Sequence, residues 1–442
     1  MLRFAPSPTG FLHIGNARVA VLNFLYAKKL NKDFFLRIDD TDQERSKAEY
    51  TESILDDLKW LGIEYKKVIK QSDRMRIYWD TFEFLKNKNF IYPCFETQEE
   101  LLLKRKVLLK QGKPPIYDRA ALSISKNELS SLLNSGKLPH WRLKLDDQPI
   151  EWIDGIHGKI KFNNLSVSDP VVFRSDKLPL FTLTSVVDDA EFNVTNILRG
   201  DDHITNTAAQ IKLFKCLESS IPSFSHFPLM RSKSGEGLSK RLNSFSIKEI
   251  RNKKISPLII INYLQKIGSS FSIDTIESIK DLIKNYNLEV FSRNSVLFNE
   301  DDLFRLNSKY IKSMKYEELG KISEIKIKKD LWEIIKLNIN ELNEIEEWQR
   351  VFEKECELPK VKVAPIFFDI IVKTLPKEIN SLTWGVWTEK IQEEYQKEPK
   401  QIFLTLRKIL TGKSFGPSMK ELLTLFSREE ILKRINNNCE KQ

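Results

Sequence analysis

Cysteine is scarce in this chain of 442 residues: Cys94, Cys216, Cys356 and Cys439 are the four. No two form a Cys-x-x-Cys pair, no disulfide framework can be drawn from them, and they read as reduced thiols. The five histidines, at positions 13, 140, 157, 203 and 226, fall at no spacing typical of a zinc site. No uninterrupted apolar stretch approaches the ~18 residues of a membrane span, so no segment is expected to cross one. The N-terminus carries one arginine and then prolines where a secretory signal would have an apolar core, which makes the cytoplasm the expected location. Internal repeats and low-complexity tracts are missing too.

What is present describes a folded, modular protein. The hydrophobic fraction is 41%, with 27 Phe, and 442 residues exceed one typical core, so roughly two to four domains are expected. A formal net charge of +10 suits a polyanionic partner, because neutralising phosphates drives nucleic-acid association. Lys, Asn and Ile abound along the whole length, a compositional source of the same charge, so charge alone does not choose between the two.

Periodicity gives strand, helix, strand, helix over the first part: Leu2 to Ala5, then the helix from Asn16 to Lys29, then Asp33 to Ile38, then an amphipathic helix from Ser46 to Leu61. The alternation returns with strands at Leu183 to Val187 and Ile197 to Arg199, a helix from Thr205 to Cys216, and an apolar stretch from Phe224 to Met230. Such alternation predicts an α/β fold, an open parallel sheet with helices on both faces. Positions of about 95 to 180 differ in character. A charged helix from Thr97 to Gly112 is broken by Pro114 and Pro115. A short helix at Leu129 to Leu133 and alternating strands at 141–145 and 171–174 follow, an inserted α+β module. Beyond residue 240 the chain reads as helical, with helices at Ile255 to Lys266, Leu331 to Ile345, Pro365 to Thr374, Trp387 to Tyr395 and Ile402 to Leu410.

Two short stretches carry chemistry. The first, Arg3-Phe4-Ala5-Pro6-Ser7-Pro8-Thr9-Gly10-Phe11-Leu12-His13-Ile14-Gly15-Asn16, is a strand, a stiffened loop, and a histidine and glycine at the mouth of a helix whose amides point at the loop. Anions bind readily at such helix starts. The second, Gly235-Glu236-Gly237-Leu238-Ser239-Lys240-Arg241, offers two cations on a glycine-rich loop able to close over developing phosphate charge. Alone, the first is compatible with an ordinary strand–turn–helix and the second with a common surface sequence; the first reads as a nucleotide triphosphate pocket and the second as a mobile pair of cations for phosphate charge. Charges at strand ends, Arg3, Arg37-Ile38-Asp39-Asp40-Thr41-Asp42 and Arg199-Gly200-Asp201-Asp202-His203, stand where open α/β sheets bind ligands. For at least one of Asp40, Thr41 and Asp42, capping a helix before Ser46 is the simpler expectation.

His13-Ile14-Gly15-Asn16 resembles the first signature of the class I aminoacyl-tRNA synthetases, and Ala5-Pro6-Ser7-Pro8-Thr9-Gly10 its bacterial glutamyl form, in which a small residue often stands where Asn16 does. Leu238-Ser239-Lys240-Arg241 is similar to the second signature of that form. The resemblance implies a Rossmann-like catalytic domain over 1–230 with an acceptor-binding insertion at about 95–180. It implies a stem-contact domain over 231–312 bearing the basic loop, and a helical anticodon-binding domain over 313–442; similarity is weaker at Asp301 to Ile311 and Leu406 to Gly412. It implies a monomeric ligase that activates L-glutamate with ATP and Mg²⁺ and passes the glutamyl group to the 3′ end of tRNA-Glu. By the same resemblance His13, Lys240 and Arg241 are catalytic, and Thr9, His13, Gly15, Asp202 and Lys240 bind ATP. Arg3, Ala5, Ser7, Asp39, Phe181 and Arg199 line the glutamate pocket, Asp39 toward the α-ammonium and the two arginines toward carboxylates.

An enzyme directed at tRNA-Gln, or charging both tRNAs, would share these motifs. A truncated tRNA-modifying relative would lack the helical half. A non-catalytic tRNA-binding paralogue would be expected to have lost His13 or Lys240, and both are here. Two departures touch the glutamate pocket: Asp39 replaces the usual glutamate, and Phe181 stands where tyrosine is common, a lost hydroxyl that weakens polar selection. Some relatives hold zinc in the insertion, beginning with Cys-x-Cys. Here the stretch reads Cys94-Phe95-Glu96 and the downstream partner cysteines are missing, so no zinc is expected.

Overall fold

In the computed structural model of the chain, the described residues are 1–146, 148–162, 168–232, 235, 245–322, 326–353 and 357–442. The chain divides into two compact units, residues 1–250 with 260–299, and residues 251–259 with 300–442.

The first unit opens with β1 (Leu2–Phe4), α1 (Ile14–Lys29), β2 (Phe34–Ile38), α2 (Ala48–Trp60) and β3 (Val68–Lys70). The three strands run parallel in the order β1-β2-β3, with Arg3 opposite Phe35 and Arg37 opposite Ile69. All residues of β1 and β2 are buried, as expected of parallel strands covered on both faces, and each strand nevertheless carries an arginine inside. Then come α3 (Met75–Asn87), β4 (Ile91–Cys94), α4 (Gln98–Lys110), α5 (Lys126–Asn134), β5 (His140–Leu143), β6 (Ile150–Asp154), β7 (Gly158–Phe162) and β8 (Val171–Phe173). They are followed by α6 (Phe181–Glu191), β9 (Asn196–Gly200), α7 (Ile204–Cys216) and β10 (Ser223–Phe227).

β4, β5 and β8 form an antiparallel sheet of their own, whereas the β6–β7 hairpin joins β10 and β9 in the order β7-β6-β10-β9, with β10 parallel to both its neighbours. The segment between about 95 and 180 thus contributes to two sheets. The β1 side is tied to β9 through Met1, whose carbonyl accepts from Thr195 N at 3.0 Å. The carboxyl ends of β1, β2 and β9 therefore open toward one place.

Two expectations are corrected. Leu183 to Val187 is not a strand but the middle of α6, in which Leu183 through Asp189 are all buried. A short apolar, β-branched run closed in on every side has no amphipathic period, so it cannot be told from a buried strand by pattern. The helix, in place of the strand, brings Asp188 and Asp189 under the sheet. The helix expected over Leu331 to Ile345 is interrupted: Lys329–Ile335 and Glu344–Val351 are separate, and Glu344 Oε1 accepts from Asn340 N at 2.7 Å. Asparagines there favour a turn over helix continuation.

In the second unit a helical core collects Trp332, Ile371, Trp387, Leu406 and Ile435. Trp387 is buried and its indole N–H donates to Ile371 O at 3.1 Å, which satisfies the polar handle of a large apolar side chain. Helix Pro399–Thr411 starts on proline and ends at Gly412 in the left-handed region, and helix Arg428–Asn438 is closed by a Ser427/Glu430 capping box. No helix among the described residues is long and apolar enough to cross a membrane.

Candidate active site

A cavity of about 510 Å³ lies at the carboxyl ends of β1, β2 and β9. The β1 side supplies Arg3 and Ala5, the following loop Ser7 and Thr9, and the start of α1 His13 and Gly15. Across from them stand Asp39 after β2, Phe181 at the first turn of α6, and Arg199 and Asp202 at the end of β9. All the described candidate residues thus line one space. Lys240 and Arg241 lie outside the described residues. The chain re-enters at Phe245, whose carbonyl accepts from Ile14 N at 3.0 Å, and Ser246 bridges His13. A smaller cavity of about 180 Å³ shares Ser7, Thr9, Asp39 and Phe181 and adds Arg45 and Arg174.

His13 is the N-cap of α1: its Nδ1 accepts from Gly15 N at 3.1 Å and Asn16 N at 3.3 Å. Burial lowers its pKa, so the ring is neutral. With Nδ1 accepting from two amides the proton belongs on Nε2, which makes His13 an uncharged N–H donor beside a helix start. Gly15 leaves room for this ring; a Cβ there would sit 3.1 Å from Cε1 and Nδ1 of His13. No acidic residue occupies the first turn of α1 to compete with an anion.

Beneath the cavity is a buried charge network. Arg37 donates to both oxygens of Asp39, at 2.6 and 3.1 Å, and to Asp189 Oδ1 at 2.9 Å; Arg3 reaches the same Asp189 at 3.0 and 3.2 Å. Asp188 takes Gln71, Arg74 and Tyr78. Burial pushes the Asp39 carboxyl up to about 6 even though Arg37 pulls it down, so it titrates near neutrality. Arg199, by contrast, has no carboxylate partner among the described residues. It donates to Thr207 Oγ1 at 2.6 Å, Gln210 Oε1 at 2.7 Å and His226 Nε2 at 3.2 Å, and its buried Nη1 makes no hydrogen bond to any described residue. Burial, and then Arg3 close by, lower its pKa. A buried cation with one face unpaired is a receptor for an anion, because leaving it bare costs free energy.

Phe181 lies tilted against His203 with ring centroids 5.2 Å apart, and the His203 pKa falls to about 4 through burial and then the nearby Arg199. The helix after Ser46 starts at Ala48 without a side-chain cap, so the capping expected of at least one of Asp40, Thr41 and Asp42 is not found there: Asp40 accepts from Ser72 N and Oγ at 2.8 and 2.7 Å, while Asp42 holds Arg45. Sequence reading placed Arg37 among the strand-end charges without a role, and missed Asp188, Asp189, Thr207, Gln210 and His226 as parts of the site. The signal available for them was a polar residue inside an apolar run, such as Asp188-Asp189 after Val186-Val187.

In the insertion, Cys94, Glu96 and His140 bring ligand-type atoms within 4.8 Å of one another, so the single thiol of the sequence reading has an imidazole and a carboxylate beside it. Tyr117 OH donates to Glu96 at 2.8 Å and lies 3.7 Å from Cys94 Sγ, and the Arg142 guanidinium stands 4.0 Å over the Tyr117 ring. Burial raises the thiol to about 11. Among the described residues three ligand groups stand here beside a guanidinium, one short of the closed four-ligand set of a structural zinc site, a poor fit to zinc.

The chain matches the family described as tRNA synthetases class I (E and Q), catalytic domain, over residues 1–305, and an anticodon binding domain over residues 377–439. It is 39% identical over 439 residues, 98% of each chain, to a protein named glutamate--tRNA ligase 2 from Ehrlichia canis. It is equally identical over 438 residues, again 98% of each, to a glutamate--tRNA ligase from Azospirillum brasilense. Among solved structures, a glutamate tRNA ligase from Elizabethkingia meningosepticum, in complex with its amino acid, is similar in fold, with TM-score 0.83, 23% identity, and 99% and 98% of the two chains covered.

Proposed function

The chain belongs to the class I tRNA synthetases of the E and Q type, and on that footing we propose how its residues divide the work of a glutamate--tRNA ligase. It is a ligase that joins glutamate to tRNA. In this reaction the glutamate carboxylate attacks the ATP α-phosphate in line and pyrophosphate leaves, and a terminal ribose hydroxyl of tRNA then attacks the carbonyl of the resulting glutamyl-adenylate, takes the glutamyl group and releases AMP. No protein nucleophile takes part; positioning and charge stabilisation suffice.

We assign the ATP phosphates to the N–H of His13 at the start of α1, with Lys240 and Arg241 closing over them and Thr9 supporting. Gly15 and Asp202 serve the adenosine. Mg²⁺ accompanies ATP and neutralises its phosphates. Asp39 takes the α-ammonium, and Arg199 takes a carboxylate, with Arg3, Ala5, Ser7 and Phe181 shaping the pocket. The observation that carries this reading is the unpaired Nη1 of a buried arginine in the same cavity as a neutral imidazole at a helix start. The domain tasks follow the family: acceptor end for about 95–180, stem for 231–312, anticodon for 313–442. The protein acts as a cytoplasmic monomer without zinc; stoichiometric zinc in elemental analysis would overturn the last point.

We take tRNA-Glu as the tRNA. Charging purified tRNA-Glu and tRNA-Gln separately with labelled glutamate tests this: charging of tRNA-Glu alone is expected, while charging of tRNA-Gln alone, or of both, would reassign the partner. Asp39 and Phe181 make that comparison worth running, since both alter the pocket but leave its charges in place.

A further inference from the structure

Arg199 is gripped from behind by groups that no step above uses. Asp154, at the end of β6, accepts at Oδ1 from the backbone N–H of Ile156 (3.0 Å), His157 (3.0 Å) and His226 (3.2 Å), and its Oδ2 lies 2.5 Å from His226 Nδ1. Burial pushes this carboxyl up, but the hydrogen bonds from His226 and the two turn amides prevail and bring it down to about 2. An ionised carboxylate only accepts, so the proton sits on Nδ1 of His226; burial outweighs the Asp154 bond in keeping the ring neutral. Nε2 is then a lone pair, 3.2 Å from Arg199 Nε and 2.9 Å from Thr207 Oγ1. The Thr207 hydroxyl accepts from Arg199 Nη2 and can donate to Nε2 or to His203 O at 3.2 Å, so apart from the Nη1 pair every donor in the chain Arg199–Thr207–His226–Asp154 has an acceptor within reach. Gln210, whose amide is oriented by donating to Ser185 Oγ at 2.6 Å, takes the other Nη2 hydrogen. Three of five guanidinium N–H groups are thereby fixed on the protein side, and the Nη1 pair is left. His226 and Arg199 stand directly opposite each other in the β10–β9 register.

We infer that the His226–Asp154 pair is a positioning device: in its Nδ1–H tautomer it holds Arg199 with Nη1 presented to the carboxylate of the amino-acid substrate. This rests on the glutamate reading given above. The reversed tautomer would aim an Nε2 hydrogen at the Nε hydrogen of Arg199, donor against donor, and turn the guanidinium away.

Asp154→Asn keeps the shape but can put a donor opposite Nδ1, which inverts the tautomer, as loss of an orienting carboxylate does elsewhere. In glutamate-dependent pyrophosphate exchange with tRNA present, the variant should show a KM for glutamate raised by about tenfold or more, with the KM for ATP within about twofold. Nitrogen NMR of histidine-labelled protein should show His226 as the Nδ1–H form before the change and the Nε2–H form after it. Thr207→Val, which removes only the hydroxyl link, serves if Asp154→Asn does not fold. Its KM for glutamate should rise about threefold or more, with the His226 tautomer unchanged. The inference is overturned if the unaltered protein carries its His226 proton on Nε2 or is doubly protonated at neutral pH. A folded variant with an unchanged KM for glutamate, or with equal rises in both KM values, overturns it as well. If the unaltered protein shows no glutamate-dependent exchange, the glutamate reading fails and this inference with it, whereas success there and failure in the variants sinks the inference alone.

Discussion

Gly15 shows how little room separates a working residue from a crowded one. A Cβ at this position would press at 3.1 Å on a His13 ring whose Nδ1 is already held by the amides of Gly15 and Asn16. Gly15→Ala is therefore expected to raise the KM for ATP by about tenfold while leaving thermal stability within about 1 kcal/mol, measured by exchange kinetics and thermal melting. Asp39 offers a second residue-level test. With its carboxyl near 6, it is charged above that pH and neutral below it. If it holds the α-ammonium, glutamate affinity should weaken as pH falls below about 6, by up to about tenfold per unit, and Asp39→Asn should flatten that dependence. The motif residues were reached only because the two short stretches occur together and resemble the signatures of one family. Their supports were not: Asp189 and His226 sit in sequence contexts that read as plain core, and only the fold shows that each meets an arginine more than twenty residues away.

At the scale of elements, some helices carry their own ends in the sequence, and of two such helices only the first was expected, over Ile402 to Leu410, while Arg428–Asn438 was not. Pro399–Thr411 has proline first and Gly412 last; Arg428–Asn438 has Ser427 and Glu430, each accepting from the other's backbone N–H, at 2.7 Å from Ser427 and 3.1 Å from Glu430. Ser427→Ala removes one half of that box and should lower the stability of the second unit by about 1 kcal/mol, read from urea unfolding, without changing pyrophosphate exchange. α6 was illegible for the opposite reason: Leu180 before it gives no side-chain cap, and burial on all sides removes the period that marks a helix. Its misreading as a strand concealed Asp188 and Asp189, and with them the neutralising half of the site.

For the whole molecule, the net charge of +10 acquires a use once tRNA is the partner. Apparent tRNA affinity should fall steeply and log-linearly with salt, while the KM for glutamate changes little; a shallow tRNA slope in filter binding would mean that the basic composition is spread away from the contact surface. The fold class was readable because its alternation spans more than two hundred residues, but the sheet order was not, since β1 finds its far-side neighbour only at Thr195. That separation has a consequence in time. At ribosomal rates of about 5–20 residues per second, β1 and β2 exist for roughly ten to thirty seconds before β9 is made. During that interval β1 is a bare edge flanked by Leu2 and Phe4, the kind that pairs with the wrong chain, and an inward-pointing charge is what discourages such pairing. Arg3 has not yet met Asp189. Until it does, the same guanidinium is a charge on an open strand edge, of the kind that discourages wrong pairing.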